Sequence, residues 1–496
     1  MLLKTILGYA PSNVVPAIMA VATISVFTRL LPPEAFGRYA LTQAVILFGQ
    51  AAAFYGLQVS VTRFHERSSA TRQLGPLLGS AYACYAACAL AATLGFVGFV
   101  LVLRPAPALA AVLWLALPTM LLRGLVYVNL ASHRGAGRIA RYNLVEVGQS
   151  VLAFVVALVL VVGFGFGAGG LVWGLLAGAA AVLAIDLPLM RRFVNRPERG
   201  LLKDLWRFGA PLCVAHLLSA VVLYCDRLFI ERLLGAAAVG LYAAAFAVVD
   251  RAVSLVFMAV TLGAYPLAIK ALEREGRDAA RRQHARNGVA LLALALPAAA
   301  GLAAAAPQVA HVLVGEAYRE GVVALIPWVA GLALLRGFSA HFFDQALHLG
   351  RRTDLFFYAL GPAAVVAALL NLLLLPVLGL SGAILAAFVA QLVAVAVTIA
   401  LSRRIFPVLF PWEQAFRIVG ATAAMAGTLL ALPFPVSPVG LGLVVAGGVL
   451  VYAAVALLLD VAGARMWLRA AIASRFTGKA IAEHPSAAVT PGRAGT

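Results

Sequence analysis

The chain has 496 residues, of which 63% are hydrophobic and 11% are charged, and its formal net charge is +19. Soluble domains contain about 45–50% apolar and about 25% charged residues, so this composition excludes a soluble globular protein. Such a positive charge would suggest a nucleic-acid partner in a soluble protein, but its distribution indicates a membrane topology instead.

Fourteen apolar stretches, each bounded by charge, Pro or Gly, have the length of about 20 residues that a helix needs to cross a bilayer. The first six occupy residues 12–31, 39–59, 76–103, 108–130, 142–162 and 168–189. The next six occupy residues 207–231, 239–268, 288–306, 322–345, 355–375 and 380–401. The last two occupy residues 414–432 and 439–460. We therefore predict an all-α integral membrane protein with about 14 transmembrane helices.

The sequence contains an internal repeat. Residues 29–40 (RLLPPEAFGRYA) match residues 232–243 (RLLGAAAVGLYA) at an offset of 203. At an offset of 213, the segment LLRG that begins at Leu121 returns at Leu334, and several glycines that follow it return as well. Duplicated hydrophobic halves are typical of secondary transporters, in which two lobes move about a site between them. Because six helices separate equivalent positions, the two lobes should share one orientation in the membrane.

This repeat predicts the organisation of the chain. Residues 1–200 form an N-terminal six-helix lobe, and residues 201–406 form a C-terminal six-helix lobe. An extra helix pair follows at 407–462, and residues 463–496 form a short basic tail.

Positive charges alternate between the two ends of the helices. By count, 29 of the 38 Lys and Arg residues lie near the termini or in loops that follow even-numbered helices. Residues 191–207 and 270–286 carry six each, whereas the loops after the fifth, eleventh and thirteenth helices carry none. The positive-inside rule therefore predicts that both termini and the even-numbered loops are cytoplasmic. The basic loops would then contact the headgroups of anionic membrane lipids.

Catalytic motifs are not evident. The four cysteines lie in apolar helices, and no spacing typical of a metal site, nucleotide-binding loop or nucleophile occurs. The sequence therefore predicts no catalytic residue, metal or cofactor.

Charged residues inside the helices are the candidate site. A charged side chain at the bilayer centre costs about 2.5–3.5 kcal/mol and usually faces a cavity or a partner. Two interpretations are open: internal ion pairs in which Asp226 or Asp250 neutralises an arginine, or a cavity whose guanidinium groups bind phosphate oxygens. Glu146 and Asp186 lie nearer the predicted cytoplasmic ends of their helices, within reach of interfacial water. The six candidates are Arg123, Asp226, Arg227, Asp250, Arg251 and Arg336.

Several of these segments resemble a known family. The run DRLFIERLLGAAAVGLYAAAFAV (226–248) and its counterpart FTRLLPPEAFGRYAL (27–41) are similar to signatures of Wzx-type polysaccharide flippases. So are the Gly-Arg turns RGAGRIARYN (134–143) and HLGRRTDLF (348–356). These flippases belong to the multidrug/oligosaccharidyl-lipid/polysaccharide exporter superfamily, and the resemblance covers residues 10–405.

The resemblance implies a flippase of the bacterial inner membrane that moves a polyprenyl-pyrophosphate-linked oligosaccharide to the outer leaflet. Cavity arginines would hold the pyrophosphate, and Arg227 and Arg251 are the candidates by position. Coupling to a cation gradient or the membrane potential, and a polymerase partner that removes the product, are the candidate energy sources. Three alternatives stay open: a drug exporter or a lipid-linked peptidoglycan precursor flippase of the same superfamily, and an integral-membrane polymerase or glycosyltransferase.

Overall fold

The protein is described by a computed structural model that covers residues 8–71 and 73–466. The described residues are helical and contain no strand. Most of the predicted basic tail, from residue 467 onward, lies outside them.

Six membrane-spanning helices make up the first lobe. The second of them bends by 48° between its two parts, at Phe54. The helices are α1 (Ala10–Leu30), α2 (Pro33–Ala53 and Tyr55–Ala70), α3 (Leu74–Leu103), α4 (Pro107–Gly135), α5 (Ile139–Phe164) and α6 (Gly167–Arg191).

The second lobe and the extra pair follow in the same manner. A continuous helix over Phe356–Ser402 would be about 70 Å long, twice the roughly 30 Å of a bilayer core. It is broken at Gly379, whose φ of 58° is not helical, and so forms two spans, α11 (356–378) and α12 (380–402). The others are α7 (Arg199–Leu234), α8 (Ala236–Glu275), α9 (Arg277–Ala304), α10 (Glu316–Leu349), α13 (Trp412–Ala431) and α14 (Pro438–Leu458). The predicted count of about fourteen is confirmed.

Equivalent helix contacts occur in both lobes. Gly124 of α4 packs on Phe54, and a methyl group at this glycine would lie 2.7 Å from the ring. Gly337 of α10 packs on Phe257, where a methyl group would lie 2.2 Å from the ring. The offsets of 213 and 203 relate these pairs, so the repeated sequence produces the same contact twice.

The two lobes meet at a pair of repeated glycines. A Cβ at Gly37 of α2 would lie 1.8 Å from the carbonyl oxygen of Ala236, and a Cβ at Gly240 of α8 would lie 2.1 Å from that of Pro33. Small residues allow helix backbones to approach closely in membranes. Because Gly37 and Gly240 are equivalent in the repeat, the contact is reciprocal, and the pseudo-twofold axis passes between them.

A second contact closes the same face of the molecule. The backbone N–H of Gly315, before α10, donates to the Thr28 hydroxyl at 2.9 Å. The hydroxyl of Tyr318 donates to the carbonyl of Leu31, also at 2.9 Å. These residues lie where the loops after odd-numbered helices are found, and this surface is called the odd-loop face. The lobes are therefore sealed together at the odd-loop face.

At the opposite surface, the even-loop face, the interface is asymmetric. On one side α2 and α7 touch, because a Cβ at Gly56 would lie 1.9 Å from the carbonyl oxygen of Gly209, and the Ser60 hydroxyl is 3.2 Å from the Leu205 carbonyl oxygen. On the other side, the corresponding parts of α1 and α8 expose apolar side chains, including Ile18 at 55%. The lobes are thus held together on the α2–α7 side and expose apolar surface to lipid on the α1–α8 side.

The charge alternation leads to a topology prediction. Reporter fusions at Gly165, Pro376 and Ser437 should be active outside the cytoplasm, because these residues lie at the odd-loop face. Fusions at Arg196 and Gly276 should be active inside, as should a fusion to the C-terminus. A single reversal among these sites would contradict the fourteen-helix topology.

Candidate substrate cavity

A cavity of about 700 Å³ lies between the two lobes. Its walls come from α1, α2, α4, α5 and α6 of the first lobe and from α7, α8 and α10 of the second. Asp226, the sixth predicted site residue, lies behind the wall and is 2% exposed. The other five line the cavity: Arg123, Arg227, Asp250, Arg251 and Arg336. Folding therefore brings together charges that are far apart in the sequence.

Among the described residues, Arg227 is the one cavity arginine that forms an ion pair. Its Nη1 lies 3.0 Å from Oδ1 of Asp226, and its guanidinium lies over the ring of Tyr224. The hydroxyl of Tyr242 donates to the other carboxylate oxygen of Asp226. Arg227 therefore forms an internal ion pair with Asp226. The hydrogen bond from Tyr242 to the same carboxylate links α7 to α8.

The other three arginines are unpaired. Within the described residues, no carboxylate oxygen lies within 4.0 Å of the guanidinium groups of Arg123, Arg251 or Arg336. The interpretation in which Asp226 or Asp250 neutralises an arginine is therefore wrong for these three, including Arg251, for which either carboxylate was a candidate partner. Asp226 is instead engaged by the neighbouring arginine, and Asp250 forms no ion pair with Arg251 although it is adjacent in sequence.

Their nitrogen atoms also lack hydrogen-bond acceptors. Nε and Nη1 of Arg123, Nε and Nη2 of Arg336, and Nε of Arg251 are buried without a partner in the described part of the chain. Arg123 donates only to the hydroxyl of Tyr127, at 2.9 Å, and Arg336 lies over the ring of Phe246. Unsatisfied buried donors are rare in native proteins and costly, particularly when charged. An anion with several oxygen atoms would satisfy them.

Further polar residues in the cavity were not found by sequence reasoning. Tyr39 and Gln43 project from α2, and Gln149 from α5, and the side-chain oxygens of both glutamines are buried without a partner. Glu146 also lines the cavity rather than reaching interfacial water. The sequence contained one signal for these residues. Tyr39 and Gln43 are four residues apart, and Glu146 and Gln149 are three apart, so each pair lies on one face of an apolar helix. Four guanidinium groups thus face two lining carboxylates, Glu146 and Asp250.

Asp186 has a different position from the one expected. It is 2% exposed, and its carboxylate contacts Nε2 of His133 at 2.9 Å and the amide of Asn129 at 2.9 Å. It is thus a buried structural carboxylate outside the central cavity.

Solved structures show the same fold. One described as lipid II flippase MurJ in an inward closed conformation matches with a TM-score of 0.75 and 10% identity, covering 91% of this chain and 98% of that one. An inward-facing multidrug resistance MATE family transporter matches with a TM-score of 0.64 and 15% identity, covering 80% and 94%. An outward-facing structure described in the same terms matches with a TM-score of 0.57 and 16% identity, covering 82% and 94%. At these identities the likeness concerns the fold alone.

The sequence itself identifies the family. A family model described as "Polysaccharide biosynthesis protein" matches residues 26–323, more than half of the chain. No curated protein sequence matches this chain significantly. The matched region includes both copies of the RLL signature and three of the four cavity arginines. The chain belongs to this polysaccharide biosynthesis family.

Proposed function

We propose that the protein flips a polyprenyl-pyrophosphate-linked oligosaccharide across the bacterial inner membrane by alternating access. The observation that carries this proposal is the set of three unpaired guanidinium groups in one cavity between the lobes. A pyrophosphate offers several charged oxygen atoms, and arginine binds such groups through paired hydrogen bonds. Membership of a polysaccharide biosynthesis family supports a sugar-bearing substrate.

The lipid tail needs a path that keeps it in the bilayer. The α2–α7 side of the interface is closed by the contact of Gly56 with Gly209. The α1–α8 side exposes apolar residues, and both helices contribute to the cavity wall, α8 with Asp250 and Arg251. We therefore place the lateral opening between α1 and α8, with the pyrophosphate inside and the tail in lipid.

The closed odd-loop face supports loading from the cytoplasm. The charge alternation predicts that this face is the outer one, and the substrate would then enter from the cytoplasmic leaflet. Separation of Gly37 from Gly240, and of Thr28 from Gly315, would then expose the cavity outward. The energy would come from a cation gradient, the membrane potential or a polymerase that consumes the flipped lipid.

The charge of the cavity discriminates among the alternatives. Arg227 is neutralised by Asp226, and the other three lining arginines outnumber the two lining carboxylates, Glu146 and Asp250. The resulting net positive charge repels organic cations, which disfavours an exporter of cationic drugs. A lipid-linked peptidoglycan precursor carries the same pyrophosphate, so it is the second candidate, and the MurJ-like fold favours it. A polymerase or glycosyltransferase is disfavoured, because the solved structures with this fold are described as a flippase and as transporters.

Deleting the gene tests the proposal in the cell. Lipid-linked oligosaccharide should accumulate in a form that enzymes and lectins reach only from the cytoplasmic side, and surface polysaccharide should disappear. Restoring the gene on a plasmid is the control. If peptidoglycan precursor accumulates instead, the second candidate is correct. If transfer of sugar onto the lipid carrier stops, the protein acts in synthesis, and the flippase proposal is wrong.

A further inference from the structure

A second cavity lies at the even-loop face of the first lobe, apart from the central one. Its volume is about 670 Å³. It is bounded by the end of α4, the Gly137-Arg138 turn, the start of α5 and the end of α6. The turn is one of the two Gly-Arg turns that resemble flippase signatures, and the proposed flipping cycle does not use it.

The start of α5 forms one wall of this cavity. The helix begins at Ile139 without a side-chain cap and without an acidic residue in its first turn. The backbone N–H groups of Ala140 and Arg141 form no hydrogen bond within the described residues, and both residues line the cavity. Free N–H groups and the helix dipole make such an N-terminus favourable for an anion.

Two arginines stand beside these N–H groups. Arg138 is exposed, and its guanidinium lies 5.2 Å from the centre of the Phe193 ring, with no carboxylate partner in the described chain. Arg141 has its Nε 3.6 Å from Asp186. Asp186 also contacts Asn129 and His133. Two arginines beside this one carboxylate give the cavity a net positive charge.

His133 is an independent indication of a ligand. Its side chain is 3% exposed and lines the same cavity. Nε2 contacts Asp186 at 2.9 Å, whereas Nδ1 is buried without a partner in the described residues. A buried ring nitrogen usually has a hydrogen-bond partner, so this one is available to a bound group.

In the equivalent turn of the second lobe, an aspartate and an arginine of the turn itself form an ion pair. The position equivalent to Arg141 is Asp354, whose carboxylate accepts two hydrogen bonds of 2.9 Å from Nε and Nη2 of Arg352. These bonds lower the pKa of the Asp354 carboxyl and keep it ionised. A Cβ at Gly350 would lie 2.3 Å from the side chain of Ile405, which occupies the adjacent space. The second lobe thus provides its own carboxylate at the turn, and the first provides an arginine and a cavity.

We propose that this cavity binds a phosphate group at the start of α5. The ligand is held by the N–H groups of Ala140 and Arg141 and by the guanidinium groups of Arg138 and Arg141. His133 adds an Nδ1–H donor in its imidazolium form, in which Nε2–H still donates to Asp186. At the even-loop face, the phosphate belongs either to the headgroup of an anionic lipid or to a soluble phosphate compound. Both have the chemistry that the site recognises.

The purified full-length protein tests this inference in native mass spectrometry. The probes are dioleoyl phosphatidylglycerol and inorganic phosphate, titrated separately.

Arg138→Gln should weaken binding about tenfold, the effect of losing one charge-assisted hydrogen bond. Ala140→Glu should abolish binding, because its carboxylate occupies the anion position. A Glu in the first turn favours the helix, so this variant should melt no lower than the parent protein. The matched control is Arg351→Gln, at the equivalent position of the second lobe, which should bind like the parent.

Each outcome has a defined meaning. Binding of phosphatidylglycerol alone identifies a lipid headgroup, and equal binding of inorganic phosphate identifies a soluble ligand. Unchanged binding in both first-lobe variants, or equal weakening in Arg351→Gln, would show a general basic surface and overturn the proposal.

Discussion

Replacing Arg251 with alanine should reduce transport on the order of 100-fold while the amount of protein in the membrane stays normal. Within the described residues, no carboxylate lies within 4.0 Å of the Arg251 guanidinium, so its removal breaks no ion pair there. It removes instead the donors that we assign to the substrate pyrophosphate. Transport of lipid-linked oligosaccharide into vesicles should be measured together with protein abundance.

Lysine at this position tests the geometry of binding. Arg251→Lys keeps the charge but loses the planar fork that binds two oxygens at once, and transport should be restored only in part. The same result is expected for Arg336→Lys, because that guanidinium also has unpartnered buried nitrogen atoms.

Arg227 is the matched contrast within the same cavity. Arg227→Ala would leave Asp226 buried with an unbalanced charge, and breaking a buried pair costs about 3–5 kcal/mol. Protein abundance should therefore fall in this variant, in contrast with Arg251→Ala. If Arg251→Ala also lowers abundance in proportion to transport, Arg251 has a structural role, and its assignment to the substrate is wrong.

Replacing Gly240 with alanine should stop the transport cycle by preventing closure of the odd-loop face. The added Cβ would lie 2.1 Å from the carbonyl oxygen of Pro33, which is backbone and cannot rotate away. The lobes must separate there, so the protein should populate the outward-open state. Transport should fall at least tenfold, because the cytoplasm-facing state needed for loading becomes rare.

A cysteine at Gln43 in a cysteine-free background reports this change, since Gln43 lines the central cavity. A membrane-impermeant thiol reagent added outside should label it in the Gly240→Ala protein and much less in the parent. Gly263→Ala is the control on the same helix, because a Cβ there meets no atom within 4 Å. Equal labelling in all three proteins would refute the role of the glycine contact as the outer seal.

The sequence by itself determined the membrane class and the approximate number of spans, and it predicted the two-lobe repeat. Each depends on local information: helix length follows from apolar runs between charged or Gly- and Pro-containing loops, and the repeat from matching residues. Charge alternation likewise predicts the orientation. The resemblance at 226–248 and 27–41 agrees with the polysaccharide biosynthesis family, whose model matches residues 26–323.

Only the tertiary structure decided how the intramembrane charges are connected. From the sequence, Asp250 was as good a partner for Arg251 as Asp226 was for Arg227. Side chains of adjacent residues point in different directions on a helix, so adjacency in sequence does not determine pairing. Packing of α7 against α8 places Asp226 between Arg227 and Tyr242, whereas Arg251 faces the space between the lobes. The same reason explains why Gln43 and Gln149 were missed and why the two Gly-Arg turns, similar in sequence, have different surroundings. A cavity depends on which helices surround it, which is a property of the assembled lobes.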